Sequence, residues 1–395
     1  MSELKEVVVV SAKRTPVGSF QGSLSTVPAT KLGSVVIKGI LEETKIDLKE
    51  IDEVIMGCVL PAGQGQAPAR QAALGADLPN SVECMTINKV CGSGMKSAML
   101  AAQAIQVGDA DVIIAGGMEN MSLAPYLLPK ARTGYRMGNG QLVDSMVNDG
   151  LWDVYNNIHM GSCAEMCAED RKYSREVQDG LAIESYQRAQ TAQKNGSFDA
   201  EIIPVEVPQR KSDPLIISQD EEPGRTNFDK IPKLRPAFKK DGTVTAANAS
   251  KINDGAAAML VMSKEKAEEL NLKPLVKIIS QASAAQAPEW FTTAPSIAIA
   301  KALEKANLKA DDIDIWEINE AFAPVLIAAI DDFKIDMNKV NINGGAIAIG
   351  HPIGASGARI FTTLLHAMKK NNAKLGLATL CIGGGEASAV IVERI

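Results

Sequence analysis

Apolar and polar positions along the chain fall into two textures that take turns. Val7 to Ser11 is a β-branched run of strand length that passes into the polar Lys13-Arg14-Thr15-Pro16. Residues 29–43 then repeat their apolar positions at helical spacing, and Ile51 to Leu60 returns to a short apolar run ending in Pro61-Ala62-Gly63-Gln64-Gly65. A further apolar lead-in, Val82 to Val90, meets Cys91 and two glycines, after which Met95 to Val107 has the period of a helix. Asp111-Val112-Ile113-Ile114-Ala115-Gly116-Gly117 closes this region as a buried strand with trailing glycines. Continuous apolar runs of strand length predict buried strands, and 3.6-residue spacing predicts amphipathic helices. Their alternation predicts a layered α/β fold.

From Met118 to about Asn248 the alternation stops. Glycine, arginine and polar residues crowd Lys130 to Asn148, one helix is predicted from Arg175 to Asn195, and Asp213 to Lys240 is charged and rich in proline. This stretch reads as a long insertion carrying binding loops on a rigid scaffold. Alternation then resumes with an internal echo. Asp52 to Gly57 matches Asp314 to Asn319 in texture, and Met85-Thr86-Ile87-Asn88 with its glycine elbow matches Val340-Asn341-Ile342-Asn343 with Gly344-Gly345. The helix from 95 to 107 matches one predicted from Ala355 to Met368, and Asp111 to Gly117 matches Leu375 to Leu380. Two similar α/β halves packed together is the economical reading.

Composition narrows the function classes. With 46% hydrophobic and 22% charged residues the chain is ordinary for a globular protein, and its length leaves ample core for two or three domains. A net charge of −6 argues against a broad nucleic-acid-binding face, although a local basic patch can still hold an anion. No apolar stretch approaches the roughly 20 residues of a membrane span. The six cysteines (58, 84, 91, 163, 167 and 381) are scattered, the first strand-like run starts too early for a presequence, and the C-terminus lacks a peroxisomal tripeptide. The expectation is a reduced, cytoplasmic protein without membrane or nucleic-acid partners.

Candidate chemistry collects at the predicted strand ends. Cys91 stands at the turn between a strand and a helix, where unpaired N–H groups and the helix dipole favour a thiolate. Equally, it could be a small buried hydrophobe, as most free cysteines are. In the second half, Asn319-Glu320-Ala321-Phe322-Ala323 follows a strand, Gly350-His351-Pro352 holds one of only three histidines, and Cys381 precedes Gly383-Gly384-Gly385. Sites in layered α/β folds gather beyond the carboxyl ends of strands, so a pseudo-twofold between the halves would bring Cys91, Asn319, His351 and Cys381 together. Two other patterns compete. Gly92-x-Gly94-x-x-Ser97 has the form of a dinucleotide fingerprint but no acidic residue follows at the required distance. His159, Cys163 and Cys167 have i, i+4, i+8 spacing but lack a second ligand pair for zinc.

Asn88-x-x-Cys91-Gly-Ser-Gly, Asn319-Glu-Ala-Phe, Gly350-His351-Pro-x-Gly and Cys381-x-Gly-Gly-Gly together resemble the thiolase family, and within it the biosynthetic acetyl-CoA acetyltransferases. The likeness runs end to end, and four separated motifs keep the family's order. It implies two βαβαβαββ halves in a five-layer α-β-α-β-α arrangement with an inserted loop domain. The corresponding bounds are 1–117 with 249–272 for the N-terminal half, 118–248 for the loop domain and 273–395 for the C-terminal half. The resemblance further implies a homotetramer, or a dimer, and ping-pong acyl transfer that condenses two acetyl-CoA into acetoacetyl-CoA and CoA. No cofactor is implied beyond CoA thioesters as substrates.

The same resemblance assigns roles. Cys91 is the acylated nucleophile, His351 activates it, and Cys381 is the acid/base that forms the carbanion and protonates departing CoA. His351 with a water held by Asn319 stabilises one oxyanion, and the N–H groups of Cys91 and Gly383 stabilise the other. CoA contacts carry over to Leu151, His159, Met160, Arg225, Ala246, Ala247, Ser250, Ala321 and Phe322. Acyl transfer of this kind needs a thiolate to hold the acyl group and a base for the second substrate's methyl carbon, which two cysteines and a histidine can supply. The chain departs from the family at Phe291-Thr292-Thr293-Ala294-Pro295, where many members have Met-Gly-x-Gly-Pro. It departs again at Lys251 for glycine, Pro324 for alanine, Cys163 for threonine and Glu386 after the triple glycine. These leave the reaction class intact and bear on acyl-chain preference and CoA affinity. A degradative 3-ketoacyl-CoA thiolase is the nearest alternative, and a non-catalytic acyl-CoA-binding protein the next.

Overall fold

The structure, a computed structural model, describes residues 4–395. Nine strands and eight helices carry the argument. The first half supplies β1 (Val7–Arg14), α1 (Ala29–Thr44), β2 (Glu53–Gly57), α2 (Pro68–Gly75), β3 (Glu83–Ile87), α3 (Ser93–Val107), β4 (Val112–Asn120) and, after the insertion, β5 (Asn253–Ser263). Within the insertion lie α4 (Met160–Arg171), which the sequence pattern did not suggest, and α5 (Arg175–Lys194). The second half supplies β6 (Val276–Ala285), α6 (Ala294–Ala306), β7 (Ile315–Ile318), α7 (Ala323–Phe333), α8 (Ile353–Lys370), β8 (Leu375–Ile382) and β9 (Glu386–Arg394).

The echo seen in the sequence is a repeat of topology. In the first half the strand order is β3-β2-β4-β5-β1, with β2 parallel to β3 and β4 and the remaining pairs antiparallel. In the second it is β7-β8-β9-β6, with β7 parallel to β8 and the other pairs antiparallel. Where the first half has β3, the second keeps only a parallel bridge between Trp316 and Val340, so the strand expected around Val340 to Asn343 is reduced to one rung. The halves meet edge to edge where Val8 and Val9 of β1 pair with Lys277 and Val276 of β6.

Alternate side chains on the strands feed different layers. Val8 and Val10 of β1 pack with Leu32, Val36 and Ile37 of α1 and Ala69 and Ala72 of α2. Val7 and Val9 turn to the opposite face, where Met95 and Ala98 of α3 and Phe361 and Leu364 of α8 also meet Leu380 and Val390 of the second sheet. The other face of that sheet, including Leu377, Ala389 and Ile391, packs on α5, α6 and α7. The layers therefore run helices, sheet, helices, sheet, helices. Strands buried on both faces need near-continuous apolar sequence, which is why they read as runs and not as alternation.

The two central helices cross at close range. A Cβ on Gly357 would lie 2.4 Å from the Met95 nitrogen, and one on Gly94 would lie 2.8 Å from the Ala358 nitrogen. Small residues at that crossing bring the N-terminal ends of α3 and α8, and the loops that precede them, side by side. Those loops carry Cys91 and His351.

Candidate active site

The elbow that carries Cys91 is built by its own polar residues. Asn88 Oδ1 accepts the Val90 N–H at 2.9 Å, Ser93 Oγ accepts the Lys89 N–H at 2.8 Å, and Ser93 Oγ donates to the Val90 carbonyl at 2.7 Å. These bonds hold Val90 at φ 45°, a conformation that costs a β-branched residue roughly 1–3 kcal/mol and marks a backbone kept in place by its surroundings. The next residue is Cys91, and α3 begins two positions later.

Asn319 follows directly on β7, and its N–H reaches the Thr379 carbonyl of β8 at 3.0 Å. Cys381 is the penultimate residue of β8. His351 comes just before α8, and its backbone N–H donates to Asn253 Oδ1 of β5 at 2.8 Å. Asn319 and Cys381 thus sit at the carboxyl ends of β7 and β8, with Cys91 and His351 on elbows that lead into the two central helices.

Ser356 orients the histidine ring. His351 Nδ1 lies 2.5 Å from Ser356 Oγ, and that hydroxyl donates its one proton to the Pro352 carbonyl at 2.8 Å. With that proton on the Pro352 carbonyl, Ser356 Oγ accepts from Nδ1–H and the lone pair is left on Nε2. The Asn319 amide lies 3.5 Å from Nδ1, and its Oδ1 is buried without a partner among the described residues.

Electrostatics correct one expectation. The helix end does not hold Cys91 as a resting thiolate: burial raises its thiol to about 11, and the nearby Glu119 carboxyl pushes the same way. Opposing them, the N–H groups of Gly383 and of Cys91 itself point at the sulfur. Those are the two donors expected at an oxyanion. Burial lowers His351 to about 3, with Arg359 adding to the effect, so the imidazole is neutral at pH 7. Burial also lifts Cys381 well above the ordinary thiol range, and proximity to Cys91 lifts it further. The three groups rest uncharged, as an apolar site requires.

A cavity of about 610 Å³ reaches these groups. Its lining grades from buried residues (Cys381, His351, Met160) to exposed ones (Phe20, Arg225, Ala246). Of the residues expected from the sequence, Cys91, His351, Cys381, Gly383, Leu151, His159, Met160, Arg225, Ala246, Ser250, Ala321 and Phe322 all line it. Two expected residues do not. Asn319 is fully buried beside His351. Ala247 is buried, and its N–H donates to Thr245 Oγ1 at 3.2 Å.

Near Cys381 the wall is apolar and aromatic. Phe291, buried, packs with Phe322, Met160, Ala321 and Cys381 in one cluster, its ring 6.1 Å from that of Phe322. His159 caps α4 by accepting the Gly161 N–H on Nδ1 at 3.0 Å and stacks on Phe238 at 4.8 Å. Phe238 and Ser356 were not singled out by sequence. Ser356 could have been, one helical turn beyond His351, whereas Phe238 lies in a proline-rich stretch without a periodic signal.

The departures settle into place. Pro324 stands in the first turn of α7, as the shared Pro295 does in α6, where a missing N–H costs nothing. Glu386 pairs with Lys89, tying the triple-glycine turn to the Cys91 elbow. The competing patterns find no site. A Cβ on Gly92 would lie 2.3 Å from Ile382, so the space above the glycines is filled by the second half. His159 is spent as a helix cap, Cys163 and Cys167 are buried, and no group of three or more metal-ligating side chains gathers among the described residues.

This architecture and cysteine-histidine site define an acyl-transfer fold, and the chain belongs to the thiolase family: the family's N-terminal domain matches residues 7–265 and its C-terminal domain residues 272–394. Among its relatives are acetyl-CoA acetyltransferases of Cupriavidus necator, 56% identical over 99% of this chain and 100% of that one, and of Schizosaccharomyces pombe, 52% identical over 99% of both. The crystal structure of the Acat5 thiolase from Ascaris suum in complex with coenzyme A superposes with a TM-score of 0.94 at 45% identity, covering 99% of this chain and 100% of that one.

Proposed function

We propose that the chain is an acetyl-CoA C-acetyltransferase that reversibly condenses two acetyl-CoA into acetoacetyl-CoA and CoA through an acetyl-Cys91 intermediate. The observation that carries this reading is the convergence of Cys91, His351, Cys381 and Gly383 on one cavity, with the Gly383 N–H aimed at the Cys91 sulfur.

The uncharged resting state accounts for the proton bookkeeping. His351 Nε2 takes the Cys91 proton as the sulfur attacks the first thioester carbonyl, so no free thiolate waits in the apolar site. The carbonyl oxygen of the resulting acetyl-Cys91 sits between the N–H groups of Cys91 and Gly383. Departing CoA takes the Cys381 proton, leaving a thiolate whose raised proton affinity suits it to remove a weakly acidic proton from the second acetyl-CoA methyl. The enolate oxygen is held by the imidazolium and by a water that donates one hydrogen to Asn319 Oδ1 and the other to the enolate. Carbon–carbon bond formation releases Cys91, which recovers its proton from His351, and both cysteines are again thiols.

Leu151, His159, Met160, Arg225, Ala246, Ser250, Ala321 and Phe322 are assigned to CoA, with Ala247 supporting them from behind. The substrates themselves bring the CoA, so no resident cofactor is assigned. A homotetramer in the cytoplasm belongs to the same reading, with 118–248 as the loop domain inserted into the N-terminal half. Exposed Tyr126, Leu128, Met137 and Leu142 offer apolar surface for assembly, which light scattering on the purified protein would measure.

Intact-mass analysis after incubation with acetyl-CoA alone tests the core of the proposal. One acetyl group should appear on Cys91 and be lost in Cys91→Ala. Label on another cysteine would overturn the assignment, and a protein that binds acetyl-CoA without label or turnover would be the non-catalytic alternative.

A further inference from the structure

Lys251 lines the cavity, yet among the described residues its ammonium pairs with no carboxylate. It donates to the carbonyl oxygens of Ala246 and Ala249, the latter at 3.1 Å, and stands 5.7 Å from the centre of the buried Tyr186 ring. The two carbonyls belong to one bend of the cavity wall, and between them lie Ala247 and Asn248, both turned into the protein. Without a cation the bend would face two carbonyl dipoles toward each other. An ammonium offers three donors on a compact charge and can satisfy both at once.

The bend is also tied to the other half. Ser250 N–H donates to the Ala321 carbonyl at 2.9 Å, Ala323 N–H donates to the Asn248 carbonyl at 2.9 Å, and Ala249 forms a bridge with Phe322. A change in the Ala246–Ala249 bend therefore moves the wall residues Ala249 and Ser250 against Ala321 and Phe322.

We propose that Lys251 is a positioning residue for the pantetheine arm of the substrate: its ammonium staples the Ala246–Ala249 bend into the shape the cavity wall presents. The proposal rests on CoA thioesters being the substrates. Charged hydrogen bonds of this kind are among the stronger ones. Their loss acts on binding of the arm and not on the reacting groups, so the expected change lies in KM, with kcat held.

Lys251→Met keeps the aliphatic stem and removes the staple. KM should rise about tenfold for acetoacetyl-CoA and by a similar factor for the truncated acetoacetyl-pantetheine thioester, with kcat within about twofold. Calorimetric titration with CoA and with pantetheine should show the same loss. An unchanged KM for the truncated thioester beside a raised KM for the full one would make Lys251 a remote charge for the nucleotide phosphates and overturn the staple. Unchanged affinity for both would overturn it outright, and no CoA binding by the unsubstituted protein would instead overturn the substrate reading. If Lys251→Met fails to fold, Lys251→Ala, which also removes every side-chain donor, takes its place under the same criteria.

Discussion

We predict that Phe291 limits how long an acyl chain the site admits. Its ring is buried in the cluster that holds Cys381, packs at 6.1 Å from Phe322, and closes the cavity beside the reacting thiols. In a filled pocket each additional methylene forces neighbours off their rotamers at a cost of ~1–3 kcal/mol. That corresponds to about 5- to 150-fold in kcat/KM for each carbon beyond acetoacetyl. Phe291→Ala removes the obstruction and exposes apolar wall, so each added methylene should instead gain up to ~0.8 kcal/mol, about fourfold. The substitution also costs ~3–5 kcal/mol of stability through the cavity and the lost Phe322 contact, which a lowered thermal midpoint would register separately. The assay is thiolysis of a homologous series of 3-ketoacyl-CoA substrates by both proteins. The unsubstituted protein should fall steeply with length, and Phe291→Ala should flatten or invert the trend. Equal kcat/KM along the series for the unsubstituted protein would place the acyl group elsewhere and favour the degradative reading.

Two further predictions concern proton chemistry. Cys381→Ser keeps size and hydrogen bonding but removes an accessible base, so it should still accumulate acetyl-Cys91 slowly in quench-flow while condensation drops by more than the ~10²–10⁴-fold typical of general acid–base catalysis; near-normal condensation would make Cys381 structural. Glu119 is fully buried, accepts the N–H groups of Val59, Leu60 and Gly354, and is raised by burial from 4.5 to about 7. A raised carboxyl stabilises the fold below its unfolded value and loses that stabilisation as pH rises through the folded one. Between pH 4.5 and 7 the protein should therefore lose about 3 kcal/mol from this group, and Glu119→Gln should flatten that slope in thermal midpoints measured across the range.

The sequence alone determined the layered class and the repeat, because strands buried on both faces must be apolar along their length and the same order of textures occurs twice. It also marked Cys91, Asn319, His351 and Cys381, since a reactive residue at a strand end leaves a local trace of glycines and polar elbow-builders. What it left open follows from physics that acts across the chain. The charge state of Cys91 was read from one helix end, where a thiolate is favoured, but burial under the second half outweighs that local dipole and keeps the thiol neutral. The tautomer of His351 depends on where a single serine proton goes, and Ser356 becomes its partner only when α8 forms. Phe238 reaches the cavity from a segment without periodicity, and Ala247, expected on the wall, is buried instead. Lys251 looked like a departure in a CoA-binding segment, and only the folded bend shows two carbonyls converging on its ammonium. Local pattern sets elements and their ends; burial and long-range hydrogen bonding set protonation, orientation and the final surface of the site.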